Sequence, residues 1–422
     1  MTQDLIRTIS CADDYDPDSM PVDKARRFIR DFLEPVQTRE SLALRAALGC
    51  VLAQDILSPC NVPNHNNSAM DGYALNADDL AASGATTLRV IGTALAGKEF
   101  PGEVGKGECV RIMTGAVMPQ SCDTVVIQER VQLKDERITF DEGVKRGQNL
   151  RYAGEDLKLG QTVFSAGHLV RPADLGLIAS LGIAEVKVYR KLRVAFFSTG
   201  DELASIGEPL ASGQVYDSNR YTLYGMLTRL GVEVIDMGVV RDDPALLEQA
   251  LNDAAACADV ILTSGGVSVG EADYMKQLLN KLGQVVFWKI AMKPGRPLAY
   301  GKIGNAHYFG LPGNPVSVMV TFYQFVRDAM LVLMGQPDPA PIQQFQVICS
   351  GNIKKAPGRT EFQRGILSTD KNGQLKVEPM GNQGSGVLRS MSEANCFIVL
   401  PEACGNIAAG EMVSVQLLSE FV

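Results

Sequence analysis

The sequence predicts a multidomain protein organised around a central three-layer α/β domain with a mostly parallel sheet. Between residues 192 and 335, short apolar runs alternate with helical patterns, which is typical of βαβ crossovers. Residues 87–140 and the residues after 339 instead carry short alternating strands separated by turn signals. These patterns predict a small all-β domain and a C-terminal β-barrel or sandwich. A length of 422 residues supports about two to four such domains.

The N-terminal portion predicts helices and an ordered loop. Apolar residues recur at helical spacing between Pro21 and Pro35, so we expect a helix there. The segment SLALRAALG has one apolar face and predicts a second helix. Residues 61–75 are rich in Asn, Gly and Pro and predict an ordered turn. Residues 172–181 predict a helix that returns the chain to the N-terminal elements.

The composition restricts where the protein acts. The net charge is −8 with both signs interspersed and no basic run, which argues against a nucleic-acid partner. The nine cysteines lack metal-site spacing, which indicates a reducing compartment. The first residues lack a secretion signal. A late apolar segment contains Gln324, Arg327 and Asp328, which argues against a membrane span, so we expect a cytoplasmic protein.

The stretch ADVILTSGGVSVGEADY is the strongest candidate for a binding loop. A buried-strand pattern ends just before Gly265, Gly266 and Ser268, which belong to a run of small residues whose N–H groups can face an anion. Glu271 and Asp273 then precede a helical pattern. Acids beside an anion-binding loop favour a phosphate held together with Mg²⁺. A flexible loop between strand and helix remains the alternative.

Charged side chains follow successive strands of the α/β region. Glu202, Asp242 and Asp273 each lie after a predicted strand, and Lys289 and Lys293 follow the strand QVVFW. Ligands of open α/β sheets bind outside the carboxyl ends of the strands, so we expect these side chains to meet in one crevice. Several acids repel one another unless Mg²⁺ joins them, whereas the lysines suit an anion. Taken singly, Asp242 and the following Asp243 are more often helix caps than ligands, and Lys289 alone is more often a solvated charge.

Other catalytic arrangements are not visible in the sequence. His65 lies in the Asn-rich loop, His168 in a predicted turn and His307 before an apolar strand, so they form no cluster. No Ser/His/Asp or Cys/His arrangement and no P-loop is present, which disfavours a covalent nucleophile and P-loop nucleotide hydrolysis.

Seven motifs occur in order along the chain: NSAMDGYA at 67–74, RIMTGA at 111–116, GED at 154–156, STGDE at 198–202, SGGVSVGEADY at 264–274, KPGRP at 293–297 and GLPGNPVS at 310–317. Together they resemble the molybdopterin molybdenumtransferases, relatives of the gephyrin E domain. The likeness runs from about residue 20 to the C-terminus.

The resemblance implies an enzyme that inserts molybdate into adenylylated molybdopterin and releases AMP with the help of Mg²⁺. It implies an elongated homodimer in which the small β domain of one subunit completes the α/β active site of the other. It also implies contacts with the molybdopterin adenylyltransferase and with proteins that deliver the cofactor to molybdoenzymes. Four domains are expected: an elongated N-terminal mixed domain at 20–60 and 153–190, the small β domain at 61–152, the α/β domain at 191–336 and the β-barrel domain at 337–422.

The same motifs carry site residues over to this chain. Catalytic roles are implied for Glu202, Asp242, Asp273, Lys289, Lys293 and Thr114, the first three of them also as metal ligands. Binding roles are implied for Gly265, Gly266, Ser268, Asp156, Asn66, Asp71, Pro312, Gly313, Asn314, Arg364 and Ser385. One position departs from the family, which usually has an aspartate where this chain has Asn66. Asparagine keeps the shape and an acceptor oxygen but loses the charge.

The expected substrate chemistry agrees with these residues. Adenylylated molybdopterin is an anionic phosphoanhydride whose own sulfurs bind the metal, so the protein has to supply a cation clamp and positive donors for molybdate. Two other functions remain open. A cofactor-binding scaffold with reduced chemistry is disfavoured by the three acids, and the related adenylyltransferase is disfavoured by the long N-terminal and C-terminal portions.

Overall fold

The computed structural model describes residues 19–266 and 272–420, leaving out the side chains at 272–274, 287 and 420. These residues form two compact units. The first contains residues 19–41, 49–53 and 187–420, and the second contains residues 42–48 and 54–186. The four domain boundaries given above stay a prediction.

Between residues 19 and 190, the structure describes two α-helices and many short strands. In chain order they are α1 (Val22–Asp31), β1 (Arg39–Ala43), β2 (Ile56–Leu57), β3 (Asn67–Ser68), β4 (Gly72–Leu75), β5 (Thr86–Ala94), β6 (Glu108–Ile112), β7 (Thr124–Ile127), β8 (Gln132–Lys134), β9 (Arg137–Phe140), β10 (Leu150–Arg151), β11 (Thr162–Phe164), α2 (Pro172–Ser180) and β12 (Glu185–Tyr189). The predicted helices at α1 and α2 are confirmed.

The predicted small all-β domain is a six-stranded sheet with strand order β7-β4-β6-β5-β9-β8. Its two faces cover separate apolar clusters, one around Val110 and Val125 and the other around Cys109 and Val126. Alternate residues of a strand point to opposite faces, which explains why neighbouring positions belong to different clusters. Gly72 begins β4 because a Cβ at this position would lie 2.0 Å from the carbonyl oxygen of Val126.

The helix predicted from SLALRAALG is wrong. This segment contributes to β1, which pairs with β12, and then forms a short 3₁₀ helix at Leu44–Ala47. A helix of two turns has few intrahelical hydrogen bonds to offset its nucleation cost. The backbone of this segment is instead stabilised by hydrogen bonds to strand β12.

In the second unit, Asp174 in the first turn of α2 is a buried carboxylate with several donors. It accepts hydrogen bonds from His168 Nε2 at 2.8 Å and from the backbone N–H of Arg171 at 2.9 Å. Burial alone would raise the pKa of Asp174, but these hydrogen bonds outweigh it and lower the pKa from 3.8 to about 2. Because the folded pKa is depressed, the carboxylate stabilises the fold above about pH 4, and this contribution is lost as the pH falls toward 2.

We therefore expect Asp174→Asn to lower the free energy of unfolding at pH 7 by about 2 kcal/mol, which corresponds to the pKa difference. Urea denaturation at pH 7 and at pH 3 measures this. The variant should lose less stability than the wild type between these pH values. Asp141→Asn, an exposed change in the same unit, serves as the control. An unchanged pH dependence in Asp174→Asn would contradict the assignment.

The first unit contains the α/β domain. Its elements are β13 (Arg193–Thr199), β14 (Leu203–Ala204), β15 (Val215–Tyr216), α3 (Ser218–Leu230), β16 (Glu233–Val240), α4 (Pro244–Cys257), β17 (Val260–Ser264), α5 (Ala272–Leu282), β18 (Gly283–Lys289), β19 (Met292–Lys293), β20 (Pro297–Ile303), β21 (Ala306–Leu311), α6 (Pro315–Thr321) and α7 (Arg327–Leu333). One turn of π-helix, Phe322–Val326, joins α6 to α7. The main sheet has the order β16-β13-β17-β21-β20-β18.

The α/β sheet is mostly parallel, as predicted. Strands β16, β13, β17 and β21 run parallel, and β20 and β18 add antiparallel strands at one edge. Helices α1, α3, α6 and α7 pack on one face, where Phe196 and Leu262 point. Helices α4 and α5 pack on the other face, where Phe197 and Ile261 point. These two helical layers and the sheet make the predicted three-layer domain.

The apolar segment Pro315–Leu333 is long and apolar enough to cross a membrane by length and composition alone. Within the protein, however, 78% of its most apolar window is buried. Its side chains, such as Val316, Phe322 and Met330, belong to the core on one face of the sheet. Packing in this core therefore accounts for the apolar character of the helix.

The C-terminal part of the first unit is the predicted β-barrel. Its elements are β22 (Phe345–Cys349), β23 (Thr360–Thr369), β24 (Leu375–Pro379), α8 (Arg389–Glu393), β25 (Cys396–Leu400) and β26 (Met412–Leu417). The strand order is β19-β23-β24-β22-β26-β25, and a further pairing of β23 with β25 closes the ring. Strand β19 comes from the α/β region, so Lys293 pairs in register with Glu361 of the barrel.

Candidate functional site

An acidic cleft lies at the carboxyl ends of the parallel strands of the α/β domain. We define this acidic cleft by the carboxylates of Glu202, Asp217 and Asp242, and its volume is about 490 Å³. Asn219, Gly265, Gly266, Gly313 and Asn314 also line it. The strand-end loops therefore meet in one crevice, as the switch-point rule leads one to expect.

Asp242 is held in the acidic cleft by the neighbouring strand. In the parallel register Thr199 lies opposite Val240, so the loop after β16 passes the end of β13. The hydroxyl of Thr199 donates a hydrogen bond to Asp242 Oδ1. The next residue, Asp243, is a helix cap, which is the alternative role that the sequence left open for these aspartates. Asp243 accepts hydrogen bonds from Ala245 and Leu246 and caps helix α4.

Glu202 and the glycines of the cleft depend on close backbone approach. A Cβ at Gly200 would lie 2.5 Å from Glu202 Oε2, so a glycine leaves room for the carboxylate. A Cβ at Gly265 would lie 2.4 Å from the carbonyl oxygen of Thr199, and this glycine has a positive φ of 97°. Gly266 also has a positive φ, of 68°. Larger residues would therefore push the strand-end loops apart.

The structure does not describe the side chains of two predicted site residues, Ser268 and Asp273. Ser268 lies outside the described residues. Asp273 lies on α5, but its side chain is not among those described. In the described parts of the chain, no group of three or more His, Cys, Asp or Glu side chains is arranged to hold a metal ion. The proposed set of Glu202, Asp242 and Asp273 thus stays a prediction.

A second, basic cleft lies beside the first. We define this basic cleft by Lys293, Arg296 and Arg359, and its volume is about 340 Å³. Its walls come from the loop around β19, from the loop after β21 and from the barrel, and include Pro312, Gly313, Asn314, Ser317, Gln383, Gly384 and Ser385. Gly313 and Asn314 line both clefts. An anion in the basic cleft would therefore lie next to the carboxylates of the acidic cleft.

The two predicted lysines differ in position. Lys293 lines the basic cleft, and its Nζ lies 3.7 Å from Oε2 of the buried Glu361. Lys289 ends strand β18 with an exposed side chain, and its backbone carbonyl accepts a hydrogen bond from Met20 N–H at 2.7 Å. It is not among the residues that line either cleft. The structure thus places Lys293, but not Lys289, in the lining of the basic cleft.

Ser385 and Arg364 connect the barrel to this site in different ways. Ser385 lines the basic cleft, and its carbonyl accepts a hydrogen bond from Val316 N–H of α6 at 3.1 Å. Arg364 has only 1% of its surface exposed, and burial lowers the pKa of its guanidinium to about 10. It donates hydrogen bonds to the carbonyl oxygens of Asn382 and Gly384, at 3.3 and 3.0 Å. Arg364 therefore holds the loop that carries Ser385.

The remaining predicted residues, Asn66, Asp71, Thr114 and Asp156, are exposed polar residues of the second unit. Asp71 accepts two hydrogen bonds of 2.7 Å from Thr114, one from its backbone N–H and one from its hydroxyl. These hydrogen bonds lower the pKa of Asp71. Asn66 Oδ1 accepts a hydrogen bond of 2.9 Å from the backbone N–H of Ala153. The side chain of Asp156, three residues farther along, is exposed.

The contact of Asn66 with Ala153 leads to a prediction for Asn66→Asp. A carboxylate oxygen can accept the same hydrogen bond, so we expect the loop to keep its conformation and the activity to stay unchanged or rise. The rate of AMP release from adenylylated molybdopterin in the presence of molybdate and Mg²⁺ measures this activity. Asn66→Ala, which removes the acceptor, is the matched control and should lower the rate. A marked loss in Asn66→Asp would show that the amide group itself is needed.

Several lining residues were missed in the sequence. Thr199 belongs to the recognised motif STGDE and ends strand β13, but its hydrogen bond to Asp242 depends on strand register. Asp217 and Asn219 begin helix α3, and the Asp-Ser-Asn run was the available signal because these residues favour helix starts. Arg359 comes from the barrel, and no local pattern indicates that it turns toward the α/β domain.

Three models of known protein families match successive parts of this chain. A family model for the MoeA N-terminal region (domain I and II) matches residues 20–182. A model for a probable molybdopterin binding domain matches residues 195–331, and one for the MoeA C-terminal region (domain IV) matches residues 346–418. The three matches follow one another along the chain.

Individual relatives agree over nearly the full length. A protein of Haemophilus influenzae named molybdopterin molybdenumtransferase is 48% identical over 399 residues, covering 94% of this chain and 98% of the relative. A protein of the same name from Nostoc is 34% identical over 400 residues, covering 92% of this chain and 90% of the relative. The crystal structure of the molybdopterin biosynthesis MoeA protein from Pyrococcus horikoshii OT3 aligns with a TM-score of 0.81 at 30% identity. That alignment covers 94% of this chain and 100% of the other.

Proposed function

The chain belongs to the MoeA family of molybdopterin molybdenumtransferases, and on that premise we propose that it inserts molybdate into adenylylated molybdopterin and releases AMP. The observation that carries this proposal is the pair of adjoining clefts. The acidic cleft and the basic cleft share Gly313 and Asn314. A reaction that transfers a separate oxyanion to the sulfurs of a phosphoanhydride substrate, with AMP as the leaving group, needs two such neighbouring sites.

The basic cleft suits molybdate. Molybdate is a dianion, and Lys293, Arg296 and Arg359 offer positive charge around it. Ser317 and Ser385 line the same cleft and can donate hydroxyl hydrogen bonds to further oxygens. We assign molybdate to this cleft.

The acidic cleft suits the phosphates of the substrate together with Mg²⁺. In phosphate-bound sites Mg²⁺ is typically held by one or two carboxylates, the phosphates and water, so Glu202 and Asp242 offer a fitting donor set. These two residues would hold the ion. When bound, Mg²⁺ neutralises phosphate charge that would otherwise repel the carboxylates.

The residues of the chain contribute mainly by positioning. Thr199 fixes the Asp242 carboxylate, and the room left by Gly200 lets Glu202 approach the strand end. The backbone at Gly265 and Gly266 lies close to Thr199, and the N–H of Gly265 donates a hydrogen bond of 3.2 Å to the carbonyl oxygen of Leu311, so this strand-end loop is held in place at the edge of the cleft. Cleavage of a phosphoanhydride by in-line displacement depends on such positioning and on charge neutralisation more than on a covalent nucleophile.

The assembly and setting are also proposals. We propose a cytoplasmic homodimer in which the exposed residues Asn66, Asp71, Thr114 and Asp156 face the acidic cleft of the partner subunit. Family membership supports this arrangement, as does the hydrogen-bonded order of Asp71 with Thr114 on an exposed loop. The adenylyltransferase that supplies the substrate and the proteins that receive the cofactor are the proposed partners.

Reconstitution tests the proposed function. The purified protein is mixed with adenylylated molybdopterin, molybdate and Mg²⁺, and AMP release is measured together with metal insertion. We expect AMP release that depends on both molybdate and Mg²⁺. Release that ignores molybdate would contradict the transferase, and consumption of ATP with free molybdopterin would indicate the adenylyltransferase instead.

A further inference from the structure

Asp217 and Asn219 are buried residues that line the acidic cleft, and each makes a hydrogen bond with a serine near the end of a sheet strand. Ser198 of β13 and Ser264 of β17 are direct partners in the parallel register, so they lie on neighbouring strands about 4.8 Å apart. Ser198 donates a hydrogen bond of 3.1 Å to Asp217 Oδ1. Asn219 donates one of 2.9 Å to Ser264 Oγ. Asp217 and Asn219 are therefore anchored to the ends of two adjacent strands.

Both side chains are fixed in orientation by further contacts. Asp217 Oδ1 also accepts a hydrogen bond of 3.1 Å from the backbone N–H of Arg220, which makes Asp217 the cap of α3. Asn219 Nδ2 also donates to the carbonyl oxygen of Gly313, at 2.7 Å. The Asn219 amide cannot turn over without losing its two donated hydrogen bonds, and a flip of the symmetric Asp217 carboxylate only exchanges two equivalent oxygens, so the second oxygen of each residue has a fixed position.

The second oxygen of each residue has no partner among the residues that the structure describes. Asp217 is 3% exposed and Asn219 is 9% exposed, and both line the acidic cleft. Asp217 Oδ2 and Asn219 Oδ1 are nevertheless buried without a hydrogen-bond donor in this part of the chain. A buried acceptor without a donor is costly, so a ligand that brings donors to both would be bound favourably.

The two heterocycles of the substrate differ in what they can offer. The pyrimidinone edge of a pterin carries two adjacent donors, the ring N3–H and the 2-amino group. The corresponding edge of adenine has one amino donor beside N1, which is an acceptor. Two acceptors in one cleft of the protein therefore match the pterin and would face an unfavourable acceptor in adenine.

We propose that Asp217 and Asn219 form the recognition site for the pterin edge of the substrate, with Asp217 Oδ2 and Asn219 Oδ1 accepting from its 2-amino group and N3–H. This inference rests on the proposed function and assigns the pterin, rather than the adenine, to the acidic cleft. It makes the pair specificity-determining residues that select a 2-amino-4-oxo pteridine.

Asp217→Asn is the decisive variant. The backbone N–H of Arg220 requires an oxygen at the Oδ1 position, so the new amide nitrogen has to occupy the Oδ2 position. It then presents a donor to the donors of the pterin. We expect affinity for metal-free molybdopterin to fall about 10- to 100-fold, whereas affinity for AMP changes less than about twofold. Fluorescence titration of the pterin and calorimetric titration of AMP measure the two affinities.

Asp243→Asn is the matched control. Asp243 is also an aspartate cap of a helix in the same domain, but it is exposed and does not line the acidic cleft. Asparagine caps helices as well as aspartate does, so both variants should melt near the wild-type temperature, and Asp243→Asn should bind both ligands normally. Loss of AMP affinity in Asp217→Asn, or equal loss of both ligands, would overturn the proposal.

A test on the wild-type protein does not depend on the folding of any variant. Free pterin and lumazine differ only in that lumazine has a carbonyl where pterin has the 2-amino group. As competitors of molybdopterin binding, pterin should be at least about 10-fold more effective than lumazine. Equal competition would overturn the recognition site even when the wild type inserts molybdate normally. A wild type that binds no molybdopterin would instead contradict the proposed function.

Discussion

Replacing Asp242 with alanine is expected to lower the Mg²⁺-dependent release of AMP by about 10²- to 10³-fold, the usual effect of removing one electrostatic group from an active site. The carboxylate lines the acidic cleft and is oriented by the hydroxyl of Thr199. It is half-buried and caps no helix, so its removal should leave the fold intact. The initial rate in the reconstituted assay, taken over a series of Mg²⁺ concentrations, measures the effect.

The neighbouring residue provides the control for this prediction. Asp243→Ala removes the cap of α4 and should lower the free energy of unfolding by about 1 kcal/mol while leaving AMP release nearly normal. Thr199→Val keeps the Asp242 carboxylate but removes its hydroxyl donor, so an intermediate loss of rate is expected. If Asp242→Ala releases AMP at the wild-type rate, the acidic cleft has no part in the reaction.

The sequence predicted the site best where local pattern and sheet topology agree. Glu202 and Asp242 follow strands that the alternating pattern identified, and parallel strands bring their carboxyl ends to the same edge. The choice between ligand and cap at Asp242 and Asp243 could not be made in advance. It depends on which carboxylate points back to its own helix, and only the hydrogen bonds of the folded chain decide that.

Features that depend on distant parts of the chain were not predictable. Arg359 of the barrel lines the basic cleft because β19 pairs with β23. These two strands are more than sixty residues apart in the sequence. The segment SLALRAALG has a helical pattern, yet its partner β12 lies far along the chain and decides its structure. Asp217 was not identified because a helix cap and a ligand acceptor have the same sequence signal.

Arg364 illustrates the same difficulty and carries the second large prediction. The resemblance implies a binding role for Arg364, but the structure places its guanidinium behind the loop that carries Ser385. Its Nε also donates to Ser390 Oγ at 3.0 Å, so one planar group serves three acceptors. We therefore regard Arg364 as a positioning residue that would act on the proposed molybdate site through the loop.

Two variants separate charge from positioning. Arg364→Lys keeps the charge but cannot reproduce the planar fork, whereas Arg364→Met keeps comparable bulk without charge. If Arg364 acts through the loop, both variants should lower the free energy of unfolding by about 2–3 kcal/mol. Both should then also raise the molybdate concentration needed for half-maximal AMP release, each to about the same extent. Urea denaturation and molybdate titration measure the two effects. Near-normal molybdate dependence in Arg364→Lys, with a strong defect in Arg364→Met, would instead mean that the charge itself attracts the oxyanion through the loop.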